Sequence, residues 1–499
     1  MNQLLYVKGT LFLIVIIVIF RLSFLNFKTD NPSKSLFYIL FGGTLLRLWC
    51  LSDAFLHEWD ERYHALVAKN LIANPLVPLL YKTPLLPYDY HNWSNNHVWL
   101  HKQPLSLWLM SFSLNVFGNT EGAVRVPSLL LSVGCIYLTY SIAKFFTNEK
   151  TALLAAFFQS VNGLVIELAA GRQSTDHIDT TFLFFIELSI WFTILYTKNK
   201  KPMFILAIGV STGLAILTKS FPALIVLPIF FILTIKKGEL LKTLGHCCLI
   251  LTVAIAVYAP WQIYIFKIFP QEAAWENYYN FLHLTEAVEG HTGGVFWQLG
   301  YAAKIWNELI YIVLLWFAFF VSKKLKDEKI VSLSIWLIVP YVFFSFVSTK
   351  MIAYPLFTAP AVFIIEALFC WHLLERPFKP VWLSKLLVTA IIVLAVRYGY
   401  ERVKPFDSQK EDKMTATAIK NWSSIFNKNQ KNVVFNVYNY VECMFYHDNC
   451  VAYPYLPQNK DIENLSKLGY TIYIVDNSKI DTTAFAHFNI HFLKMDTLD

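Results

Sequence analysis

The chain has 499 residues, of which 56% are hydrophobic, 17% aromatic and only 15% charged, with a formal net charge of +8. Soluble globular proteins carry roughly 25% charged residues. The composition excludes a soluble enzyme, a disordered chain and a small disulfide-held secreted module, and points to a polytopic α-helical membrane protein.

A membrane span needs about 20 mostly apolar residues. Such stretches recur near 9–25, 36–52, 126–145, 151–170, 179–197, 203–218, 221–235, 245–265, 303–321, 330–347, 352–372 and 384–398, which predicts about 12 spans. The first run, TLFLIVIIVIF, has neither a basic start nor a small-residue cleavage site and is expected to remain as a span. Cys50, Cys135, Cys247, Cys248 and Cys370 lie in apolar runs and read as small hydrophobes.

Lysine and arginine in short loops set orientation. With these spans, Lys28/Lys34, Lys144/Lys150, Lys198/Lys200/Lys201, Lys236/Lys237/Lys242, Lys323/Lys324/Lys326/Lys329 and Arg376/Lys379/Lys385 all fall on one side, the cytoplasmic one. The outer side receives 53–125, 171–178, 266–302, 348–351 and the chain after about 400. This bookkeeping requires the apolar stretch 103–118 to lie in the interface instead of crossing. The stretch 54–73 is expected to do the same, because Phe55, Trp59, Tyr63, Leu66, Val67 and Leu71 recur at helical spacing with charges opposite. The expected organisation is a membrane domain, 1–400, with outer loop 53–125, and a small outer α/β domain, 401–499. In that domain 433–438 and 470–475 read as strands and 461–468 as a helix. Cys443 and Cys450 lie there, and a disulfide between them is open.

Polar groups gather in the outer loops. His57, Glu58, Asp60, Glu61, Arg62 and His64 crowd one short helix beside Trp59, where burial makes a carboxylate a usable base. A solvated interfacial helix carries such charges too. His57, Glu61 and His64 share a face, as a metal site or as a surface grouping. His101-Lys102-Gln103-Pro104 offers a cation for a phosphate or a snorkelling lysine. Arg172, Asp176, His177 and Asp179 stand at the membrane boundary, with Asp176 and Asp179 on one helix face. Segment 276–294 holds His283, Glu286, Glu289 and His291 with paired glycines, and Lys350 precedes Tyr354. No P-loop or dinucleotide fingerprint is present.

The order of these motifs resembles the lipid-phosphate-dependent glycosyltransferases of the GT-C fold. The similarity is to the branch of the protein O-mannosyltransferases and the lipid A aminoarabinose transferase. It runs over roughly residues 40–365 and rests on LLRLWCLSDAFLHEWDERYHALVAKNL (45–71), HKQPLSLWL (101–109), FGNTEGAVRVPSLL (117–130) and STKMIAYPLFTAPAV (348–362). It implies Asp60 as the first-loop acid that activates the acceptor or organises the site, with Glu61 and Tyr63 in support. Asp176 or Asp179 matches the second acid. Lys102, Arg172 and Lys350 are implied as donor-phosphate contacts. The resemblance also implies a divalent metal (Zn, Mg or Mn), with His101 and His291 as ligand positions. This chain reads His101-Lys102-Gln103-Pro104 where the family has Glu-Lys-Pro-Pro, so the family's metal-linked Glu is absent.

The implied reaction moves a sugar from a polyprenyl phosphate to a lipid, protein or glycan acceptor, with inversion. It implies no nucleic-acid partner and places the site on the periplasmic face of a cell inner membrane. The alternative is a transporter or flippase of lipid-linked saccharides. It is disfavoured because no repeat is visible and because Glu187 and Glu366, within spans, have no sequence partner.

Overall fold

In the computed structural model, nine helices among the described residues are long and apolar enough to cross a membrane, and two bent helix pairs raise the number to 11. The structure describes residues 2–426, 430–476, 480 and 482–494. The expected 12 spans are thus reduced, and three of them show why. The stretch 221–235 becomes a 3-10 turn, Phe221–Ile225, and a short helix, Val226–Thr234. The stretch 151–170 breaks at Asn162 into Glu149–Val161 and Gly163–Ala169, bent by 53°. Asn162 Oδ1 accepts from the Val165 amide at 3.1 Å, so its side chain caps the second helix and restarts it. The stretch 303–321 belongs to Trp297–Ile305 and Ile310–Ser322, bent by 113°. There Asn307 Oδ1 accepts from the Leu309 amide at 3.0 Å. The 103–118 stretch forms Pro104–Phe117, 14 residues and too short to span.

The chain divides into two units. The first comprises Met1–Leu51, Lys102–Ser106 and Ser128–Asp407 and holds the span helices, apart from the first turns of Glu121–Phe146. Its core buries Trp336, Phe182, Phe230 and Phe363. Helices Asp176–Asn199 and Pro202–Lys219 form a hairpin around Lys200, which is left-handed at φ 54°, with Pro202 opening the second helix. Pro202–Lys219 packs on Leu240–Ile268 through Gly209 and Gly213, four residues apart. A Cβ on Gly213 would lie 2.7 Å from Val257 Cβ and 2.8 Å from the Ala254 carbonyl oxygen. Between membrane helices such small residues allow close backbone approach. Gly213→Val is therefore expected to destabilise the protein by about 1–3 kcal/mol through overpacking. The thermal midpoint in detergent reads this out, and an unchanged midpoint would contradict the packing.

The second unit comprises Ser52–His101, Leu107–Pro127 and Ser408–Asp499. Most of the first outer loop thus clusters with the C-terminal segment, where the sequence reading attached it to the membrane domain. Strands β1 (Lys431–Phe435), β2 (Cys450–Ala452), β3 (Tyr470–Asp476) and β4 (Ile490–Lys494) form one parallel sheet in the order β2-β1-β3-β4. Parallel neighbours need crossovers. Helices Tyr440–Tyr446 and Asn459–Lys467 supply two, so the expected strands and helix are all present. Cys443 and Cys450 are buried with free thiols, their sulfurs 3.6 Å apart.

The expected interfacial helix at 54–73 is Asp60–Leu71, and its polar face is buried as well. Arg62 pairs with the buried Glu442 at 2.8 Å, and burial raises the Glu442 pKa against the pull of Arg62. Lys69 Nζ donates to the carbonyls of Met444 and Phe445 at 3.1 and 2.7 Å. A helix with protein on both faces is no surface float, because its charges find fixed partners.

Candidate active site

The second acid motif is built by strain and pairing. After Gly163–Ala169 the chain turns through Gly171, Thr175 and Asp176, which have φ of 78°, 68° and 32°. Non-glycine residues in this region cost about 1–3 kcal/mol each and cluster at functional sites. The turn launches Asp176–Asn199 and buries Asp176 and Asp179 in its first turn, where the helix dipole favours a carboxylate. Asp179 accepts hydrogen bonds from Thr175 Oγ1 and Lys219 Nζ. Lys102 adds a second positive charge acting on it. Lys219 ends its helix, where a cation is favoured, and lies 5.2 Å over the Tyr354 ring. The hairpin thus brings the start of one helix to the end of the next. Lys219 had no place in the sequence reading, since it looked like the basic end of a span. His177, buried, bonds through Nδ1 to Ser128 Oγ at 2.8 Å.

Two expected phosphate contacts hold helix ends. Arg172 Nη1 donates to the Arg402 and Val403 carbonyls at 2.8 and 3.0 Å, at the close of helix Val381–Val403. Lys350 is 3% exposed. Its Nζ donates to the carbonyls of Phe344 and Ser345 at 2.9 and 2.7 Å, closing helix Glu328–Phe346, and burial lowers its pKa. The loop carrying His283 and His291 meets 348–350, a junction absent from the sequence reading. The Ser348, Thr349 and Lys350 amides donate to the Leu284, His283 and His291 carbonyls at 3.1, 3.1 and 2.9 Å. The His291 side chain itself is exposed.

In the second unit the first-loop acid shares the same device. Trp59 has φ 66°, and Asp60 opens helix Asp60–Leu71 directly after it. Asp60 is buried. Its neighbour Glu61 is fully buried and is held rigidly. It accepts from Arg125 Nε at 2.6 Å and Nη2 at 2.9 Å, and from the His57 amide at 2.6 Å. Its Oε2 is also 2.7 Å from His57 Nδ1. Arg125 further donates to the carbonyls of Asp53 and Phe55, both at 2.6 Å. The Glu61–Arg125 pair therefore fixes the loop that presents Asp60. Arg125 was missed as well, because it reads as a charge at the edge of an apolar run. Tyr63 OH is 2.8 Å from Tyr440 OH, and burial raises the Tyr63 pKa.

Of the expected metal ligands, His101 belongs to the second unit and His291 to the first. His101 stacks on Trp93 with ring centroids 4.7 Å apart and meets Trp99 edge-on at 5.6 Å. His57 lies between Glu61 and Asp53, the latter at 3.1 Å. Among the described residues no three His, Cys, Asp or Glu side chains converge as a metal-binding group. The residues present do not fit a divalent ion within either unit. Within the spans, Glu187 accepts from Thr139 at 3.0 Å and Glu366 from Asn307 at 2.6 Å, so both have fixed partners.

A family model described as dolichyl-phosphate-mannose-protein mannosyltransferase matches residues 101–264, a stretch containing Lys102, Asp179 and Lys219. An uncharacterized protein of Aquifex aeolicus is 28% identical over 347 residues, 67% of this chain and 63% of its own length. The undecaprenyl phosphate-alpha-4-amino-4-deoxy-L-arabinose arabinosyl transferase of Pseudomonas aeruginosa is 23% identical over 288 residues, 54% of this chain and 49% of its own. The chain thus spans less than two thirds of the length of these relatives. The crystal structure of ArnT from Cupriavidus metallidurans bound to undecaprenyl phosphate shares the fold. Its TM-score is 0.62 at 13% identity, covering 86% of this chain and 87% of that one.

Proposed function

We propose that the chain is a membrane glycosyltransferase of the protein-mannosyltransferase and aminoarabinose-transferase type, a reading supported by the family match over residues 101–264, the arabinosyl transferase relative and the shared fold. It moves a sugar from a polyprenyl phosphate to a lipid, protein or glycan acceptor. The observation that carries this reading is the buried Asp179 flanked by Lys219 and Lys102. Two ammonium groups gather with Asp179, and with Asp176 in the same first turn, at the start of a membrane helix. A lipid-borne phosphate is the anion that reaches such a place with its chain among spans. Lysine meets phosphate as a point charge and stabilises the charge that develops on a leaving phosphate.

In this mechanism the acceptor oxygen attacks the anomeric carbon opposite the phosphate. Asp60 takes its proton, the carbon–oxygen bond to phosphate breaks, and the phosphate leaves with the electron pair. The anomeric carbon is inverted. Asp179, of the two candidate acids, holds Lys219 in place, and Arg172 and Lys350 position the helix ends they cap. No step runs through a metal. The site is read as facing the periplasm of a cell inner membrane, because the basic loops fall together on the other side when 221–235 crosses as well.

Lys102 is the cleanest handle on the donor, because Asp179 keeps Lys219 when Lys102 is changed. Hydrogen bonds to charged groups contribute about 1.5–3 kcal/mol. Lys102→Gln is therefore expected to raise the KM for the polyprenyl-phosphate sugar by about 10- to 100-fold, with the thermal midpoint unchanged. An unchanged donor KM would remove Lys102 from the donor site.

A further inference from the structure

The second unit contains a cavity of about 540 Å³ that the transfer chemistry does not use. This lies within the roughly 300–1,000 Å³ typical of small-ligand sites. Its walls come from the helix and loop after Asp60, from Asn119, and from the amino ends of β1, β2 and β3. Lys69, Lys82 and Lys431 line it, and Asp448 is its one carboxylate among the described residues. That carboxylate is already engaged, 2.6 Å from Lys69 Nζ. Lys69 therefore cancels Asp448, and Lys82 and Lys431, both exposed, leave the cavity with uncompensated positive charge. Burial lowers the Lys69 pKa, Asp448 opposes this, and the charge of Lys82 lowers it again, which is like-charge repulsion inside one cavity. Lys431 Nζ lies 5.7 Å over the ring of Tyr470, so a cation and an aromatic face share one wall.

Each part limits the ligand. Two flexible lysines at an open cavity call for an anion. An aromatic wall with the Asn119 amide suits a ring with an apolar face and hydroxyls at its edge. We propose that this cavity binds an anionic sugar unit, a pyranose bearing a carboxylate or phosphate, as the recognition end of the acceptor. The acceptor assignment rests on the transferase reading; the binding does not.

The test uses the full chain in phosphatidylcholine nanodiscs, with glucuronic acid and glucose 6-phosphate as probes. Saturation-transfer NMR reads binding without any donor or transfer, so a failed transferase reading leaves its outcome intact. Both probes are expected to bind saturably, and neutral glucose at least tenfold more weakly. The Lys82→Gln/Lys431→Gln double variant is expected to weaken the probes at least tenfold, and Lys82→Arg/Lys431→Arg to retain them. Both side chains are exposed, so folding is not at stake. Absence of saturable binding, or binding indifferent to both substitutions, would overturn the proposal. Inorganic phosphate displacing the probes with equal affinity would overturn the sugar assignment, because the cavity would then read charge alone.

Discussion

Asp60→Asn is expected to lower the rate of sugar transfer by about 10²- to 10⁴-fold, the usual contribution of a positioned general base. The donor KM and the thermal midpoint should stay near wild type. Asparagine keeps the size and a hydrogen-bonding oxygen of the side chain and loses the negative charge, and with it the ability to accept the acceptor's proton. Asp60 is the first residue of its helix, entered through the left-handed Trp59. The neighbours on its C-terminal side are tied elsewhere, Glu61 to Arg125 and Arg62 to Glu442. Steady-state transfer from a labelled donor measures the effect. A variant with wild-type turnover would make Asp60 structural.

The largest effect on stability is expected at Arg125. Both Arg125 and Glu61 are fully buried, and Arg125→Met takes the guanidinium away from the Glu61 carboxylate while the His57 amide and imidazole stay beside it. Breaking a buried pair by removing one partner costs about 3–5 kcal/mol. The carbonyls of Asp53 and Phe55 lose their donors in the same change. The loop 52–64 should open, read as a lowered thermal midpoint together with faster proteolysis there. Adding Glu61→Gln removes the carboxylate's charge and should recover part of the loss. It should not recover all of it, because the two carbonyls stay unmet. A single variant as stable as wild type would show that the loop is held by something other than this pair.

The parts of this protein that were legible in the sequence are those that depend on local pattern. Span segments follow from runs of apolar residues, and β1, β3 and the helix at 459–467 follow from alternation and composition. Span continuity was not legible where a single side chain decides it. Asn162 ends one helix and caps the next, and Asn307 bonds the Leu309 amide in the bend between two more, and hydropathy averages over both. The first loop was misjudged for a related reason. Its amphipathic period is real, but a second face can be buried when partners come from 375 to 380 residues away, as Glu442 and the carbonyls of Met444 and Phe445 do.

Among the candidate site residues, the sequence exposed carboxylates in conspicuous clusters and concealed the cations that pair with them. Lys219 and Arg125 each close an apolar stretch, where a basic residue has an ordinary explanation. Only the hairpin of Asp176–Asn199 with Pro202–Lys219 reveals that Lys219 returns to Asp179. The choice between Asp176 and Asp179 was out of reach for the same reason. Spacing placed both on one face, and the fold brings Lys219 to Asp179. Arg172 and Lys350 illustrate the converse. Each is a cation at an outer loop, as a phosphate contact would be, and each donates to carbonyls at a helix end.

The central claim is that the chain cleaves a polyprenyl-phosphate sugar and transfers the sugar to an acceptor. The most direct measurement is to place the purified full chain in proteoliposomes with a panel of radiolabelled polyprenyl-phosphate sugars and cell-envelope acceptors, and to follow both the lipid and the sugar. One donor is expected to be consumed, its label to appear in an acceptor, and Asp60→Asn to stop the transfer. Label that crosses the bilayer still joined to its lipid, with no donor cleaved across the panel, would contradict it and make the protein a transporter.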